Sequence, residues 1–520
     1  MQLTRSRFAI LLLPLIASAL ASDCNEKQFK SGKVCVCDLN SCDEVPELGL
    51  TMGQAAVFTT SHSGHRLHRE IVYATDNDPI GTLHMTLDST KKYQQIQGFG
   101  STFSDAAGAN LKSLPDKLAD TIIRQYFSPQ GLNYKFGRVP IGASDFSARE
   151  YSYDLVDGDF QMQKFNLTVE DTQWKIPYIK KAVYYSGSSL NLLAVPWSAP
   201  GWLKTTHQVA GPGAVQGKAG DEYHKAYAKY FVKFFEDYAK ANVNFWGVSV
   251  QNEPTEGSNK KEKAPETLFT AETQRDFIKT DFGPALKDNE ATKNLKVLIL
   301  DDERKNLPKW ADTILKDKDA AKYVSGIGVH YYEESEKDEH LDKTHKNHPD
   351  VFILGTEASD GAKSKETTVE FGSWDRAEDY ASNIIDDLNN WLVGWIDRNL
   401  VLDAQGGPSF FNVFADAPII AFPNVSQFYK QPMFYAIAHF SRFIQPGAYR
   451  IDHSFNVIEL EVRSAVFQNP DGSKVVILLN KSKLTDHTVI VKDSADARDH
   501  YHFKLPTRSI ATLYINSINF

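Results

Sequence analysis

The chain has 520 residues, of which 42% are hydrophobic and 24% charged, a composition typical of a soluble globular protein. This length exceeds one typical domain and allows a large domain with smaller ones attached. Acidic residues outnumber basic ones, 66 to 57, and the net charge of −9 argues against nucleic acid as the main partner.

Residues 1–21 are predicted to form a secretory signal peptide. Two arginines precede a short apolar run at residues 8–16, and small residues at Ala19 and Ala21 form a cleavage site. The apolar run is too short to span a bilayer and no later stretch is long enough, so no transmembrane segment is predicted. We therefore expect a protein that enters the secretory pathway and is either lysosomal or secreted.

The cysteines all lie in one short segment. An even number in an exported chain predicts two disulfides. A zinc site is the alternative, but an oxidising compartment and the lack of Cys-x-x-Cys pairs favour disulfides. The residues concerned are Cys24, Cys35, Cys37 and Cys42.

Three Asn-x-Ser/Thr sequons are candidate sites of N-linked glycosylation. A modified asparagine must be accessible, so all three are expected at the surface. They are Asn166, Asn424 and Asn480.

From Gln95 to about Asn399, short apolar runs alternate with amphipathic helices, a pattern that predicts repeated βα units. The number of runs, eight, is the number that a closed (β/α)8 barrel needs. In the helix after Asp221, aromatic residues follow a 3.6-residue period, and we expect that face to pack against the barrel. The strands are expected to start near Ile96, Tyr134, Leu190, Phe245, Lys296, Gly326, Val351 and Trp391.

From Tyr449 onward the helical pattern is lost. Antiparallel strands are predicted at residues 457–467, 474–479, 488–492 and 509–515, with a hairpin turn at Pro470-Asp-Gly. These strands predict a β-sandwich appended to the barrel, and strands before residue 90 are candidates to complete it.

Glu253 lies at the end of the fourth predicted strand. Residues 245–251 form a short apolar run, and Pro254 cannot extend a ladder because it has no amide hydrogen. In a parallel barrel this end of the strand is the catalytic face. Glu253 is therefore a candidate catalytic acid; the alternative is that it only caps the next segment.

Glu357 ends the seventh predicted strand, which lies opposite the fourth across an eight-stranded barrel. Two carboxyl groups over one cleft are what glycoside hydrolysis requires. Repulsion from Glu357 would raise the pKa of Glu253, and Asn252 could donate to a sugar 2-hydroxyl. The alternative for Glu357 is a helix cap.

The motifs at the strand ends resemble those of the lysosomal glucosylceramidases, or acid β-glucosidases, of glycoside hydrolase family 30. The resemblance covers nearly the whole chain after residue 21. It is carried by Gln97-Gly-Phe-Gly100, Asp105-Ala-Ala, Arg138-Val-Pro, Asp145-Phe-Ser, Pro196-Trp197-Ser, Asn252-Glu-Pro, Leu300-Asp-Asp, Val329-His-Tyr, Glu357-Ala, Gly406-Gly-Pro and Tyr429-Lys-Gln-Pro.

This resemblance implies retaining hydrolysis of glucosylceramide at a membrane surface, with no cofactor and no metal. Glu253 would be the acid/base and Glu357 the nucleophile. A saposin-like activator is also implied. The implied sugar-site residues are Asp145, Trp197, Asn252 and Tyr332, with Arg138 and His330 as residues that orient them.

The resemblance also implies a division into domains. A Cys-rich, three-stranded sheet would comprise residues 22–47 and 400–431, and a β-sandwich residues 48–94 and 448–520. The catalytic barrel would comprise residues 95–399 and 432–447.

The chain departs from the family pattern beside the sugar pocket. Relatives carry Trp where this chain has Tyr331 and Arg398, and Asn where it has Val413. The loop 258–264 is also lysine-rich, which bears on ceramide docking. These departures leave two alternatives: hydrolysis of another β-glycoside, such as a glucosyl-sterol, glucan or xylan, or a non-catalytic glycolipid-binding paralogue.

Overall fold

The computed structural model describes residues 24–51, 54–75, 83–259, 261, 263–332, 339–361, 368–494 and 496–517. The predicted signal peptide lies outside these residues. Within them, no helix has the length and apolar character needed to cross a membrane.

The chain folds into a mixture of helices and strands, and the strands form three sheets. The strands are β1 (Glu26–Gln28), β2 (Lys33–Asp38), β3 (Gln54–Ser61), β4 (His68–Tyr73), β5 (Leu83–Gln95), β6 (Gly98–Thr102), β7 (Phe136–Ile141), β8 (Asn191–Pro196), β9 (Gly247–Ser249), β10 (Lys296–Glu303), β11 (Val324–His330), β12 (Phe352–Ala358), β13 (Leu392–Asp397), β14 (Leu402–Asp403), β15 (Ile419–Phe422), β16 (Gln427–Lys430), β17 (Tyr449–Phe455), β18 (Val462–Gln468), β19 (Lys474–Asn480), β20 (His487–Asp493), β21 (Asp496–Leu505) and β22 (Ser509–Ile515). The α-helices are α1 (Asp105–Ser113), α2 (Asp116–Phe127), α3 (Ile176–Tyr185), α4 (Glu222–Lys240), α5 (Ala271–Phe277), α6 (Gly283–Lys287), α7 (Lys309–Leu315), α8 (Lys318–Ala321), α9 (Glu339–Asn347), α10 (Trp374–Asn389) and α11 (Pro432–Ser441).

Strands β6 to β13 close into a parallel barrel, in which each strand pairs with the next along the chain and β13 pairs with β6. Each strand starts within two residues of its predicted position. The predicted (β/α)8 barrel is therefore confirmed. Because the strands are parallel, their carboxyl ends share one mouth.

Helix α4 begins at its N-cap, Asp221, whose side chain accepts a hydrogen bond from the backbone of His224. The predicted aromatic face is buried, and Tyr227 stacks on Phe277 of α5 with ring centroids 5.6 Å apart. The ring of Phe235 also lies 5.2 Å from that of Phe245, two residues before β9, so the predicted packing of this face against the barrel is confirmed.

Nine strands from both chain ends form the second sheet, in the order β21-β20-β5-β17-β18-β19-β22-β3-β4. The sheet curls until its two edge strands meet at a bridge between Thr75 and His500, and it encloses an apolar core of its own. The predicted β-sandwich is present. The predicted start of the strand at residue 457 is wrong, because Ile458 and Leu460 lie 92% and 89% exposed in a loop before β18.

The third sheet has five strands, in the order β1-β2-β16-β15-β14, where the resemblance implied three. Strand β2 pairs with β16, so the segment that contains β14 to β16 joins the N-terminal strands in one sheet. The two predicted disulfides link Cys24 to Cys35 and Cys37 to Cys42.

The sequons differ in accessibility. Asn166 and Asn424 are exposed, as expected. Asn480 is fully buried, and its amide donates to the carbonyls of Thr485 and Pro506, each at 2.9 Å. The expected surface position of Asn480 is therefore wrong, because the end of β19 uses that amide to hold two neighbouring loops.

Candidate active site

An apolar layer fills the barrel below its mouth. It contains Phe136, Leu193, Leu298, Leu354 and Ile396, all fully buried. Side chains alternate along a strand, so residues two positions further on return to the interior nearer the mouth. A polar cluster starts there.

Glu253 follows the short strand β9 in a left-handed backbone conformation, with φ at +38°. Its amide donates to the carbonyl of Asp301 at 2.8 Å, and Asp301 itself has φ at +59° at a bulge in β10. Such conformations cost about 1–3 kcal/mol each and cluster at functional sites. Here they turn two neighbouring carboxylates toward the mouth.

Glu357 on β12 is surrounded by donors. The hydroxyl of Tyr332 donates to its Oε1 at 2.9 Å, Nη1 of Arg138 donates to its Oε2, and Nε of Arg398 lies 3.4 Å from Oε2. Burial alone would raise the pKa of Glu357. The charges of Arg138, His330 and Arg398 outweigh burial and lower that pKa.

The two glutamates face each other. One carboxylate oxygen of Glu253, one of Glu357 and a ring nitrogen of His330 all lie within 4.8 Å of one another. Burial raises the pKa of Glu253 to about 7; the hydrogen bond and charge of His330 oppose this rise, and the charge of Glu357 adds to it. The predicted direction therefore holds, but burial is the main cause and repulsion by Glu357 a smaller one.

His330 connects the acid pair to Asp301. Its Nδ1 lies 3.0 Å from Oε1 of Glu253, and its Nε2 lies 3.1 Å from Oδ1 of Asp301. Asp301 also accepts from Nη2 of Arg138 at 3.1 Å and from the hydroxyl of Thr356 at 2.5 Å. Asp301 is absent from the predicted site residues, although the motif Leu300-Asp-Asp at the end of the fifth strand contains it.

Asn252 is held by Arg138, whose Nη2 donates to its Oδ1 at 2.9 Å. The amide nitrogen of Asn252 is buried without a hydrogen-bond partner among the described residues. An orphaned donor beside two carboxylates is suited to a ligand hydroxyl.

Trp197 and Asp145 are joined to this cluster through the two arginines. Both guanidinium groups, of Arg138 and Arg398, lie over the Trp197 ring, at 4.9 and 4.8 Å from the centroid. Asp145 pairs with Arg398. Thus the structure brings all the predicted catalytic and sugar-site residues into one connected cluster.

The residues that depart from the family pattern lie around this cluster. Tyr331 packs edge-on against Tyr332, with centroids 5.8 Å apart. Val413 packs in a separate small apolar group that includes Phe146. Arg398 lies inside the cluster, bonded to Asp145.

Within the part of the chain that the structure describes, two groups of side chains have metal-ligand spacing. In the group Glu253, His330 and Glu357, both ring nitrogens of His330 already contact carboxylates, and Glu357 is paired with Arg138. In the other group the thiols of Cys37 and Cys42 are joined in a disulfide. Neither donor set fits a metal ion.

A parallel eight-stranded barrel with two adjacent glutamates at its carboxyl end has the architecture and the acid pair of a glycoside hydrolase. Residues 96–444 match the glycosyl hydrolase family 30 TIM-barrel domain, and residues 447–513 match the family 30 beta sandwich domain.

Proteins that are similar to this chain over most of their length support the same family as the two domain matches. "Putative glucosylceramidase 1" of Caenorhabditis elegans is 65% identical over 99% of this chain and 100% of its own. The lysosomal acid glucosylceramidase of Mus musculus is 39% identical over 89% of this chain and 90% of its own. Among solved structures, the endo-beta1,6-glucanase BT3312 superposes with a TM-score of 0.78 at 25% identity, covering 90% of this chain and all of that one. The chain belongs to glycosyl hydrolase family 30.

Proposed function

We propose that the protein is a retaining β-glucosidase that hydrolyses glucosylceramide to glucose and ceramide through a covalent glucosyl-enzyme intermediate. The observation that carries this proposal is the approach of the Glu253 and Glu357 carboxylate oxygens to within 4.8 Å. Retaining glycosidases place their carboxyl groups about 5–5.5 Å apart, whereas inverting enzymes leave about 6.5–9.5 Å for a water.

In the first step, Glu357 attacks the anomeric carbon and forms a glucosyl ester. Its low pKa keeps it ionised, and Tyr332 and Arg138 orient its oxygens. Glu253, protonated because burial raises its pKa, gives its proton to the glycosidic oxygen as the bond to ceramide breaks.

In the second step, Glu253 is ionised and takes a proton from water, which attacks the anomeric carbon. The ester bond breaks, Glu357 leaves as a carboxylate, and glucose departs with the β configuration restored. The orphaned amide of Asn252 can donate to the sugar 2-hydroxyl in both steps. This hydrogen bond strengthens as the anomeric carbon gains positive charge.

The two pKa shifts give the expected pH dependence. Glu253 must be protonated, so kcat/KM falls as pH rises through about 7. Glu357 must be ionised, and its lowered pKa places the acid limb below 4.5, its ordinary value. We therefore expect a bell-shaped profile with its plateau at acidic pH.

The choice of glucosylceramide rests on the relatives whose names carry that activity. Entry into the secretory pathway, action at a membrane surface in a lysosome or outside the cell, and help from a saposin-like activator belong to the same proposal. A glucan is the second candidate substrate, because the solved β-1,6-glucanase shares this fold at 25% identity.

The experiment compares the hydrolysis of glucosylceramide in detergent micelles with that of β-1,6-linked gluco-oligosaccharides. Preference for the oligosaccharides would replace the ceramide substrate with a glucan. Proton NMR of the first product decides the stereochemistry, since initial release of α-glucose would contradict a retaining mechanism.

Covalent labelling with a cyclitol epoxide, followed by peptide mapping, tests the nucleophile. We expect the adduct on Glu357. Absence of both labelling and hydrolysis would favour the non-catalytic glycolipid-binding alternative.

A further inference from the structure

Arg398 lies at the end of the eighth barrel strand and contacts both carboxylates that frame the proposed sugar site. Its Nη2 donates to Oδ1 of Asp145, and its Nε lies 3.4 Å from Oε2 of Glu357. The guanidinium carbon is 4.8 Å from the ring centroids of both Phe146 and Trp197. The side chain is only 1% exposed, so these groups enclose the guanidinium, whose Nε and Nη1 have no hydrogen-bond partner among the described residues.

This ion pair uses only one oxygen of Asp145. Oδ1 accepts from Arg398 and from the backbone amide of Phe146 at 3.1 Å. No described residue hydrogen-bonds to Oδ2, and the side chain keeps 17% of its surface exposed. Oδ2 is therefore the oxygen of Asp145 that remains to accept a hydrogen bond from a sugar hydroxyl.

Asp145 and Glu357 are like charges in one largely buried site, and each raises the cost of ionising the other. Arg398 contacts both carboxylates and offsets this repulsion. Burial raises the pKa of Asp145, and the charge of Arg398 opposes that rise. Removing the guanidinium would leave two facing carboxylates with less compensation.

We propose that Arg398 is a positioning residue that determines glycone specificity: it fixes Oδ2 of Asp145 as an acceptor for one sugar hydroxyl and ties that acceptor to the nucleophile. This inference rests on the proposed function and adds a specificity-determining contact to it. A purely structural ion pair would stabilise the fold without affecting how one particular hydroxyl is recognised.

The test uses an aryl β-glucoside and its monodeoxy analogues, each lacking one ring hydroxyl. In the wild type, we expect loss of the hydroxyl bound by Asp145 to lower kcat/KM about 10- to 100-fold. Asp145→Asn identifies that hydroxyl: in this variant, the analogue that lacks it should show the smallest decrease in kcat/KM relative to the parent glucoside. We call the fold decrease in kcat/KM on removal of one hydroxyl its deoxy penalty. In Arg398→Met the deoxy penalty for the same hydroxyl should shrink to about threefold or less, while those for the other hydroxyls persist.

Arg508→Met is the matched control. Arg508 also bridges two carboxylates, those of Asp375 and Glu378, but it lies where the nine-stranded sheet meets α10. This variant also loses a bridging arginine, but outside the proposed site. All its deoxy penalties should therefore stay at wild-type values.

A second readout is the pH dependence of kcat/KM, in particular its acid limb, the low-pH range in which activity falls as Glu357 is protonated. We expect Arg398→Met to move this limb to higher pH, because Glu357 loses one of its compensating charges. Arg398→Lys should keep the limb near its wild-type position, since it retains the charge. It should still weaken the hydroxyl preference, because an ammonium lacks the planar fork that reaches both carboxylates.

Retention of the full deoxy penalty in a folded Arg398→Met or Arg398→Lys variant overturns the inference. Should Arg398→Met not fold, Arg398→Lys decides by the same penalty. Lack of wild-type hydrolysis of the aryl glucoside would instead refute the proposed function, so the two failures are distinguishable.

Discussion

Two layers of the same barrel are both buried but are stabilised in different ways. The lower layer, which includes Phe136 and Leu354, has only apolar side chains in contact. In the mouth cluster, Arg138 and Asp301 are buried just as completely, yet they are charged and form an ion pair with each other. Phe136 and Arg138 stand two residues apart on β7.

The difference shows how one scaffold separates stability from chemistry. Packing in the lower layer fixes the strands, because tightly packed apolar side chains tolerate little displacement. Burial of the mouth cluster strengthens the interactions among its charges and raises the pKa of Glu253. At Glu357 the charges of Arg138, His330 and Arg398 outweigh burial, so its pKa is lowered. Changes at the mouth should therefore act mainly on activity, and changes below it mainly on stability.

The largest effect is expected from Glu357→Gln. Loss of the nucleophile should lower kcat/KM at least about 10⁴-fold, because no ester with glucose can form. Steady-state hydrolysis of an aryl β-glucoside measures this. Glu461→Gln, at an exposed position in the turn just before β18, is the control and should stay near wild-type activity. Full activity of the Glu357 variant would disprove its role.

A smaller loss is expected from Glu253→Gln, and it should depend on the leaving group. For glucosylceramide, whose leaving alkoxide needs a proton, kcat/KM should fall about 10²- to 10⁴-fold. For an aryl glucoside with an acidic phenol, formation of the ester needs little protonation and the loss should be slight. Parallel kinetics on the two substrates measure the difference; equal losses would rule out Glu253 as the acid.

In the lower layer, Leu354→Ala should lower the free energy of unfolding by about 2–5 kcal/mol, because a cavity remains in the packed interior. The measurement is the denaturant midpoint at which hydrolysis is lost, together with kcat/KM in the absence of denaturant. Leu484→Ala, at a site 93% exposed, is the control and should change stability by less than about 0.5 kcal/mol. Lost activity with an unchanged midpoint would contradict the separation of the two layers.

The smallest expected effect is the pH dependence of stability caused by Glu253. The folded protein holds this proton up to about pH 7, whereas the ordinary pKa is 4.5. Between these values the folded state binds more protons, so the contribution of Glu253 to stability is lost as pH rises. Glu253→Gln should therefore gain stability relative to wild type between pH 4.5 and 7, by at most about 3 kcal/mol. Thermal unfolding at several pH values measures this, and a constant difference would contradict the raised pKa.

Elements with a strong local pattern were predictable from the chain. The eight barrel strands and helix α4 have the required periodicity. The fourth strand, however, ends at Ser249, five residues before the predicted stop at Pro254. Strands β17 and β21 were not predicted, because they depend on pairing with β5 and β20. The strand predicted from residue 457 is wrong for a related reason: apolar residues alternate there, but they lie in an exposed loop before β18.

The sequence by itself determined which residues could act as acids and that each would lie near the carboxyl end of a barrel strand, because local periodicity places those strands. The tertiary structure alone decided the disulfide pairing, the burial of Asn480, and the contacts of His330, Asp301 and Arg398. These features depend on the distances and burial created when remote segments pack together, which no local pattern encodes.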